Sequence, residues 1–501
     1  MSALVLGIDV GSTSTKVVLA EPSSEVLAQA SAPVELSSPH PGWAQADPAQ
    51  WWRNVCSLVP QVLGSAGAAE DVAAEDIAAV ACTGMVPAVI PVDETGTALR
   101  RAILQNDARA TAQIRSLADR LAGVDLVAVT GSALTQQSVA PTLAWLAEHE
   151  PDVWARTSHV LGSYDWLAVA LGAAPHVEQN WALESGLFAL AGFAPIDQVL
   201  LAARISADLL PPVVLPGTVV GSVSAAAAAV TGLRAGTPIV AGGADHVLSA
   251  YAAGLASPGD WLVKLGGAGD ILAVTDHVLT DPRLYLDAHP QPGLWLPNGC
   301  MATSGSLIRW FQSVTGDAPV ADLEADALGS EPASLVCLPY FLGEKSPLHD
   351  PDLRGAFLGL HLGHTRGDLY RAILEAIGYG FRQHTEILAE RGVRLEMARV
   401  SNGGSKSRVW KQILADVLGV PLYPVLDHPG AALGAALAAA VGAGLLGDWA
   451  DAAPTLASSV TGRPVEPNSA LADRYAEAYQ IYRDAGDVLT SVSHRLARRS
   501  R

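Results

Sequence analysis

The stretch Pro238 to Tyr251, PIVAGGADHVLSAY, lies near the middle of the 501-residue chain. Its apolar start predicts a β-strand, Gly242-Gly243 predicts a turn, and the Ala, Val and Leu residues after Asp245 predict a helix. An acid that follows a strand and a glycine turn lies where open α/β sheets bind their ligands. Asp245 is therefore a candidate general base. The alternative is a helix cap, because an aspartate before a helix often accepts backbone N–H groups.

Composition favours a packed protein of two or three domains. Half of the residues are hydrophobic and 16% are charged, which is unlike a disordered chain. The formal net charge of −19 disfavours binding to nucleic acid or to an anionic membrane. The four cysteines show no CxxC pair and no nearby histidine cluster, which argues against disulfides and zinc and fits a reducing cytoplasm.

Two apolar segments bear on targeting and membrane insertion. The N-terminal apolar run is interrupted by Asp9 and has no basic region before it, so we expect no signal peptide. The uncharged stretch from Pro429 to Gly447 is about long enough to span a bilayer. Because it consists mostly of Ala and Gly, a tightly packed internal helix is the favoured interpretation.

A Gly/Ser/Thr turn joins two predicted strands near the N-terminus. The strand Leu4 to Val10 is followed by Gly11-Ser12-Thr13-Ser14-Thr15-Lys16 and then by a second strand. This is neither a Walker loop nor a dinucleotide fingerprint, because both need a helix after the loop. Its amides, its hydroxyls and Lys16 could cradle phosphate, and Asp9 could hold Mg²⁺ through water. The alternative is an ordinary hairpin with polar turn residues.

A similar strand, glycine turn and strand occur after Asp245, around Gly266-Gly267-Ala268-Gly269. We interpret the two hairpins as a repeat, which predicts two related domains that each offer one hairpin to phosphate. Further along, Gly403-Gly404 precedes a predicted helix. Its backbone could approach a ligand closely, and the helix N-terminus favours phosphate.

Polar residues after an apolar pair indicate a second candidate binding region. Asn106 and Asp107 could hydrogen-bond sugar hydroxyls, and Arg109 could hold them in place. A turn followed by a helix cap explains the same residues equally well.

Taken together, these segments resemble the FGGY carbohydrate kinases, within the sugar kinase–Hsc70–actin fold. The resemblance runs from Gly7 to about Leu446, and its most specific part is the Gly403 to Ser407 loop with the helix that follows. Other matching segments are Asp9 to Thr13, Gly242 to Asp245, Pro339 to Pro347 and His364 to Arg366. The xylulokinase-like branch is the most similar, through Pro41 to Trp43, Asn106 to Arg109 and Glu148 to Pro151.

The resemblance implies an α/β, two-domain, actin-like ATPase fold of the ribonuclease H-like type, with an interdomain cleft. The implied domains are residues 1–245, with the sugar site and the phosphate hairpin, and residues 246–501, with the nucleotide site. It implies ATP and Mg²⁺, with Asp245 as the catalytic base and Asp9 and Asp245 at the metal. The implied ATP-binding residues are Ser12, Thr13, Ser14, Lys16, Gly266, Gly267, Gly403 and Gly404. The implied substrate-binding residues are Val86, Pro87, Asn106, Asp107, Asp245 and His246.

Two departures from the family pattern concern the binding sites. Many relatives have a hydroxyl-bearing pair after the first glycine of the second hairpin, where this chain has Gly267-Ala268. Xylulokinases usually carry Met-His at the sugar clamp, and this chain has Val86-Pro87, whose side chains cannot hydrogen-bond a hydroxyl. His246 stands where relatives often have Gln or Asn. It could donate to a sugar oxygen or support the site indirectly.

We therefore expect a cytoplasmic, ATP-dependent kinase that transfers the γ-phosphate to a hydroxyl of a small sugar, most readily a pentulose. A kinase of another ketose or polyol is the alternative. Two further classes are a partner-regulated ATPase of the same fold and a sugar-binding regulator without catalysis. We expect no nucleic-acid or membrane partner, and a homodimer is an open expectation.

Overall fold

The computed structural model describes residues 3–40, 42–70, 72–425, 430–458 and 463–499. Pro41 and Pro429, which belong to segments singled out in the sequence, lie outside the described residues. The chain forms two compact units. The first comprises residues 1–256, 280–296 and 429–457, and the second comprises residues 257–279, 297–428 and 458–501.

The strands are β1 Leu4–Val10, β2 Ser14–Ala20, β3 Val26–Pro33, β4 Leu36–Ser37, β5 Gln45–Ala46, β6 Ile77–Gly84, β7 Ile90–Val92, β8 Ala102–Ile103, β9 His159–Leu161, β10 Val177–Glu178, β11 Val213–Val214, β12 Val219–Ser222, β13 Pro238–Ala244, β14 Trp261–Leu265, β15 Gly269–Ala273, β16 Tyr285–Ala288, β17 Trp295–Met301, β18 Val336–Leu338, β19 Ala356–Leu358, β20 Ala398–Ser401 and β21 Leu422–Pro424.

The α-helices are α1 Pro48–Glu70, α2 Thr111–Arg120, α3 Leu126–Thr130, α4 Val139–His149, α5 Pro151–Arg156, α6 Ser163–Leu171, α7 Gln179–Ser185, α8 Asp197–Ala203, α9 Ala225–Thr231, α10 Asp245–Ala252, α11 Gly305–Val314, α12 Val320–Leu328, α13 Arg366–Glu390, α14 Arg408–Leu418, α15 Ala431–Gly442, α16 Ala453–Ser458 and α17 Ala472–Arg499. Short 3₁₀ turns occur at Ala74–Asp76, Ala207–Leu209, Gly403–Lys406, Trp449–Asp451 and Ser469–Leu471.

The first unit is built on a six-stranded sheet in the order β12-β13-β6-β1-β2-β3. The N-terminal hairpin supplies β1 and β2, which are antiparallel, and β3 continues that antiparallel run. On the other side of β1, β6 and then β13 are parallel to it. The carboxyl ends of three buried strands therefore meet at one edge, where a ligand site is expected.

The second unit repeats this order. Its strands β17, β15, β14, β20 and β21 lie side by side. β14 and β15 form an antiparallel hairpin that β17 extends, and β20 and β21 continue parallel to β14. In both sheets, the first strand of the hairpin thus has two further strands beside it that run parallel to it. The predicted repeat of two related halves is confirmed.

The helix α15 lies in the core of the first unit, as the Ala- and Gly-rich sequence predicts. Every residue from Ala431 to Ala440 is buried. Its small side chains let the helix lie directly against β1, where a Cβ built on Gly7 would stand 1.9 Å from the carbonyl oxygen of Ala432. Among the described residues, no helix is long and apolar enough to cross a membrane.

The predicted glycine turn at Gly242-Gly243 is wrong, because both residues belong to β13. The pairing of β13 with β6 shifts register between Ala241 and Gly243. At this irregularity a Cβ on Gly242 would lie 1.8 Å from the carbonyl oxygen of Cys82. The glycine is required by close contact between strands, and a glycine that allows close contact looks the same in sequence as one that allows a turn.

Asp245 is the first residue of α10, and the N-cap position before it is occupied by Ala244. The helix-cap interpretation of Asp245 is therefore wrong. The domain boundary expected after Asp245 falls after the first residue of α10, inside the first compact unit, which continues to Ala256.

Candidate active site

Asp9 and Asp245 lie at the same edge of the first sheet. Asp9 near the end of β1 pairs with Thr83 of β6, and Thr83 pairs in turn with Gly243, two residues before Asp245. The hydroxyl of Thr83 donates to the carbonyl of Gly243 at 2.6 Å, which fixes this part of the edge. Because neighbouring strands are about 4.8 Å apart, one intervening strand separates the two aspartates by roughly 10 Å at the backbone.

The first hairpin adds hydroxyl and ammonium groups beside Asp9. The turn is closed by the amide of Gly11, which donates to the carbonyl of Ser14 at 3.0 Å. Lys16 pairs directly across from Asp9. Directly opposed residues of antiparallel strands project from the same face, and so do residues two apart, such as Ser14 and Lys16. One face of the hairpin therefore carries a carboxylate, a hydroxyl and an ammonium group.

The imidazole of His246 contacts the carboxylates of Asp245 and Asp287. Its Nδ1 lies 3.6 Å from Oδ1 of Asp245, and its Nε2 lies 2.7 Å from Oδ2 of Asp287. Burial disfavours the imidazolium, but the charge of Asp287 and hydrogen bonds with both aspartates outweigh it and raise the pKa of His246 well above its usual value. The side chain of Asp245 is 34% exposed, so a substrate can reach it.

Glu184 completes this group. Its carboxylate and ligand atoms of His246 and Asp287 all lie within 4.8 Å of one another. Glu184 also lines a pocket of the first unit together with Ser132, Ser138 and the side chain of Leu183. Glu184 thereby belongs both to the group around His246 and to a small pocket lined by hydroxyl-bearing residues.

Two buried side chains hold Glu184 and Asp287 in place. Glu178 caps α7, which carries Glu184, by accepting from the amide of Asn180 at 2.9 Å. Asn180 in turn binds the backbone of Ala288, next to Asp287, accepting from its amide at 2.7 Å and donating to its carbonyl at 3.0 Å. Complete burial, followed by the nearby charge of Asp165, raises the pKa of Glu178 well above its usual value.

The clamp segment Val86-Pro87 is buried, and its peptide bond is cis. A backbone bridge joins Val89 to Ile103, so this segment runs beside the chain that leads to Asn106. The residues predicted to contact the sugar on this side therefore lie in one region. Val86 and Pro87 contribute apolar surface there and no side-chain hydrogen bond.

Both carboxylate oxygens of Asp107 accept hydrogen bonds from other groups of the protein. Its Oδ1 accepts from the amide and Nε of Arg109 at 2.9 and 2.8 Å, and its Oδ2 accepts from Nη2 of Arg109 at 2.7 Å and from the amide of Ala44 at 2.5 Å. The guanidinium of Arg109 stacks on Trp43, 3.8 Å from the ring centroid. Asp107 thus orders the loop, while the neighbouring Asn106 is exposed.

The second unit brings its two predicted glycine segments together. The turn of the second hairpin is held by α11, whose Gly305 amide donates to the carbonyl of Gly266 at 2.7 Å. A Cβ on Gly266 would lie 3.2 Å from Nδ2 of Asn402, the residue that precedes Gly403. The side chain of Arg309 also reaches this turn, with Nη2 3.2 Å from where a Cβ of Gly267 would stand.

Gly403 and Gly404 differ in their surroundings. Gly403 is exposed and has open space where a Cβ would stand. Gly404 is buried, and its Cβ would lie 2.5 Å from atoms of both Leu265 and Trp410. The absence of a side chain at Gly404 therefore serves packing between β14 and α14, whereas Gly403 leaves room for a ligand to approach.

Sequence reasoning missed Glu184, Asp287 and Arg309. The two acids reach His246 only through the fold, since Asp287 is 41 residues away along the chain. Arg309 is one basic residue on an amphipathic helix, a pattern that usually indicates only an exposed face. Its sequence position after the second hairpin carries no local signal of contact with the turn.

Comparison with known proteins agrees with this arrangement. Models of the FGGY family of carbohydrate kinases match residues 4–252, as the N-terminal domain, and residues 272–443, as the C-terminal domain. The crystal structure of a xylulose kinase from Rhodospirillum rubrum is 40% identical with a TM-score of 0.86, covering 98% of this chain and 100% of that one.

Two curated relatives are similar over nearly their full length. The xylulose kinase of Staphylococcus epidermidis (strain ATCC 12228 / FDA PCI 1200) is 27% identical, covering 96% of this chain and 95% of the relative. The L-xylulose/3-keto-L-gulonate kinase of Escherichia coli (strain K12) is 29% identical, covering 96% of each. The two family-model matches and the 40% identical structure lead to one assignment: the chain belongs to the FGGY family of carbohydrate kinases.

Proposed function

We propose that this carbohydrate kinase transfers the γ-phosphate of ATP to a hydroxyl of a ketopentose, as a xylulokinase-like enzyme. The observation that carries the proposal is the common sheet edge of Asp9 and Asp245, with a phosphate-type hairpin beside Asp9. The 40% identical relative named as a xylulose kinase supports the ketopentose as acceptor. Another ketose or a polyol is the alternative acceptor.

Asp245 is the proposed general base. Its partly exposed carboxylate accepts the proton of the acceptor hydroxyl as that oxygen attacks the γ-phosphorus. A P–O bond forms to the sugar, the P–O bond to the β-phosphate breaks, and ADP leaves. Phosphoryl transfer depends mainly on positioning and on neutralising charge, so the base assists a reaction that the surrounding donors have already aligned.

The oxygen donors at the sheet edge fit a magnesium ion. Asp9 and Asp245 offer carboxylate oxygens, the ligand type that Mg²⁺ prefers, and they are the residues that would hold it directly or through water. When bound, Mg²⁺ neutralises negative charge on the phosphates. Lys16 lies on the same face of the hairpin as Asp9, which directs a second positive charge to the phosphates.

The proposed ATP-binding groups are those that can donate to phosphate. They are the hydroxyls of Ser12, Thr13 and Ser14, the ammonium of Lys16 and the backbone around Gly266 and Gly267. Arg309 joins this group because its guanidinium reaches the Gly267 turn. Gly403 lies next to that turn and gives the nucleotide base or ribose room to approach, while Gly404 supports the loop from beneath.

The proposed acceptor contacts come from His246, Asn106 and the exposed oxygen of Asp245. Val86 and Pro87 supply apolar contact with the carbon skeleton. Asp107 supports this region by holding Arg109 in place, and it does not bind the sugar directly. A cytoplasmic location and a homodimer remain predictions from the sequence.

Sugar-dependent ADP release tests the proposal. We expect a ketopentose to raise turnover strongly in a panel of ketopentoses, tetroses, hexoses and polyols, and Asp245→Asn to lower kcat by about 10²–10⁴-fold. Asp152→Asn, at an exposed position of α5, is the control with the same change of charge. ADP release that no sugar stimulates would contradict the sugar-kinase proposal and favour the partner-regulated ATPase. Normal turnover in Asp245→Asn would exclude Asp245 as the base.

A further inference from the structure

The charges around His246 bear on which acceptors the enzyme accepts. Three carboxylates surround this one imidazole: Asp287 at 2.7 Å, Asp245 at 3.6 Å, and Glu184 with its ligand atom within 4.8 Å. Leaving out Asp245, whose charge the proposed Mg²⁺ would offset, Glu184 and Asp287 exceed a protonated His246 by one negative charge when both acids are ionised. Such an arrangement attracts hydroxyl donors and repels a carboxylate brought into contact with it.

The same group lies beside the proposed base. Asp245 is partly exposed, and Glu184 lines a small pocket of its own with Ser132 and Ser138. The hydroxyl of Ser132 accepts from the amide of Leu286, so the pocket wall is tied to the strand that carries Asp287. A sugar whose reacting hydroxyl meets Asp245 therefore lies beside His246, which Asp287 contacts at 2.7 Å and Glu184 approaches within 4.8 Å.

Their rigidity lets these charges discriminate. Asp287 is 1% exposed and is bonded to His246, and Asn180 holds the backbone next to it from both the amide and the carbonyl side. Glu184 lies on α7, whose first turn is fixed by Glu178. Asp287 could not swing away from an anionic acceptor without breaking its contact with His246.

We propose that Glu184 and Asp287 are specificity-determining residues that select neutral polyhydroxylated acceptors against acceptors that carry a carboxylate. The inference rests on the proposed sugar-kinase function and names the acceptor class for that site. It separates this chain from its relative named as an L-xylulose/3-keto-L-gulonate kinase, whose name includes a carboxylate-bearing sugar acid. The shared family alone does not distinguish the two acceptor classes.

The test uses an acceptor pair that differs only in charge. 3-Keto-L-gulonate and its neutral carboxamide are compared with wild-type enzyme, as substrates or as competitive inhibitors against the best ketopentose. We expect the amide to be used or bound at least about tenfold better than the acid. Equal or better use of the acid, or no interaction with either compound, would overturn the proposal.

Variants then assign the discrimination to the two acids. Glu184→Gln and Asp287→Asn should each reduce the preference for the amide by about tenfold. Glu184→Asp, which keeps the charge, and Asp152→Asn, which removes an exposed charge elsewhere on the first unit, should leave the preference in place. The preference is the ratio of amide use to acid use by the same variant, so a general loss of activity does not change it.

The outcomes also separate this inference from the function on which it rests. If no neutral ketopentose stimulates ADP release, the proposed function fails and the inference falls with it. If ketopentoses are phosphorylated but the amide preference is absent, or persists unchanged in folded Glu184→Gln and Asp287→Asn, only the selection by these acids is wrong. If one of the two variants fails to fold, the other still tests whether the acids set the preference.

Discussion

Gly7 of β1 and Ala432 of α15 are in such close contact that a Cβ on Gly7 would lie 1.9 Å from the carbonyl oxygen of Ala432. The same Cβ would lie 2.6 Å from the amide nitrogen of Ala436. Two backbones therefore touch without a side chain between them. This contact sets the depth of β1, the strand that carries Asp9 to the edge of the sheet.

Gly7→Ala should lower the free energy of unfolding by about 3 kcal/mol, because neither backbone can move without displacing the sheet or the helix. Gly64→Ala is the control, since a Cβ at Gly64 of α1 meets nothing within 4 Å. That change should be neutral or stabilise by about 0.5–1 kcal/mol. Urea unfolding measures both, and equal midpoints for the two variants would contradict the role of the contact.

Asp107 and Asn106 should respond differently to substitution. The carboxylate of Asp107 and the guanidinium of Arg109 are 2% and 1% exposed, so Asp107→Asn leaves a buried cation without its anion. We expect a loss of about 3 kcal/mol in unfolding free energy. Asn106→Ala, at an exposed position, should change stability by less than about 0.5 kcal/mol and raise the KM for the sugar. Thermal unfolding and KM for each variant check this, and a stable Asp107→Asn with a raised KM would restore Asp107 as a direct sugar ligand.

Local sequence patterns predicted the parts of the fold that depend on local physics. The strands and turn of the first hairpin and the buried Ala-rich α15 were both expected from local sequence patterns. The second hairpin was also expected, and with it the repeat. These features need few contacts between residues that are distant in sequence.

What the sequence could not predict depends on distant pairing. The position of Gly242 in a strand follows from its contact with Cys82, and the surroundings of His246 follow from Glu184 and Asp287, on other elements. The candidate base could be proposed because an acid after a strand is a local pattern. The charges that surround it could not be predicted, because the residues next to each of these acids in the sequence show no functional pattern.

Arg309 should contribute to ATP binding through its approach to the Gly267 turn. A charge-assisted hydrogen bond to phosphate is worth about 1.5–3 kcal/mol, and the exposure of Arg309 reduces this, so Arg309→Ala should raise the KM for ATP by about tenfold. Arg309→Lys should keep part of the effect, and the effect should shrink at high salt. Arg394→Ala, at another exposed position of the second unit, is the control. An unchanged KM for ATP in Arg309→Ala would place the guanidinium outside the phosphate site.

Glu344 and His384 are buried in the second unit, and their pKa values are shifted in opposite directions. Burial raises the pKa of Glu344 from its usual 4.5 to about 7, although the amides of Ala302 and Lys345 donate to its Oε1. Burial lowers the pKa of His384 from its usual 6.5 to about 4, while its Nδ1 lies 2.8 Å from the carbonyl of Gly380 and its Nε2 lies 2.9 Å from the hydroxyl of Ser346.

These shifts predict opposite dependences of stability on pH. The contribution of Glu344 is fully present below its unfolded pKa of 4.5 and is lost as pH rises to about 7. The contribution of His384 is fully present above its unfolded pKa of 6.5 and is lost as pH falls to about 4. Between 4.5 and 6.5 the two slopes oppose each other, so the contributions of these two groups nearly cancel in that window.

Removing either ionisable group should reveal the pH dependence of stability that the other one causes. Glu344→Gln keeps an oxygen acceptor for the two amides and leaves the histidine slope uncompensated, so its stability relative to wild type should fall by about 2–3 kcal/mol as pH decreases across the window. His384→Gln should show the reverse, with its stability relative to wild type rising by a similar amount over the same decrease, because protonated Glu344 is favoured in the folded state. Urea unfolding at several pH values between about 4.5 and 6.5 measures both. Parallel pH profiles for wild type and the two variants would show that neither burial shifts protonation as the structure indicates.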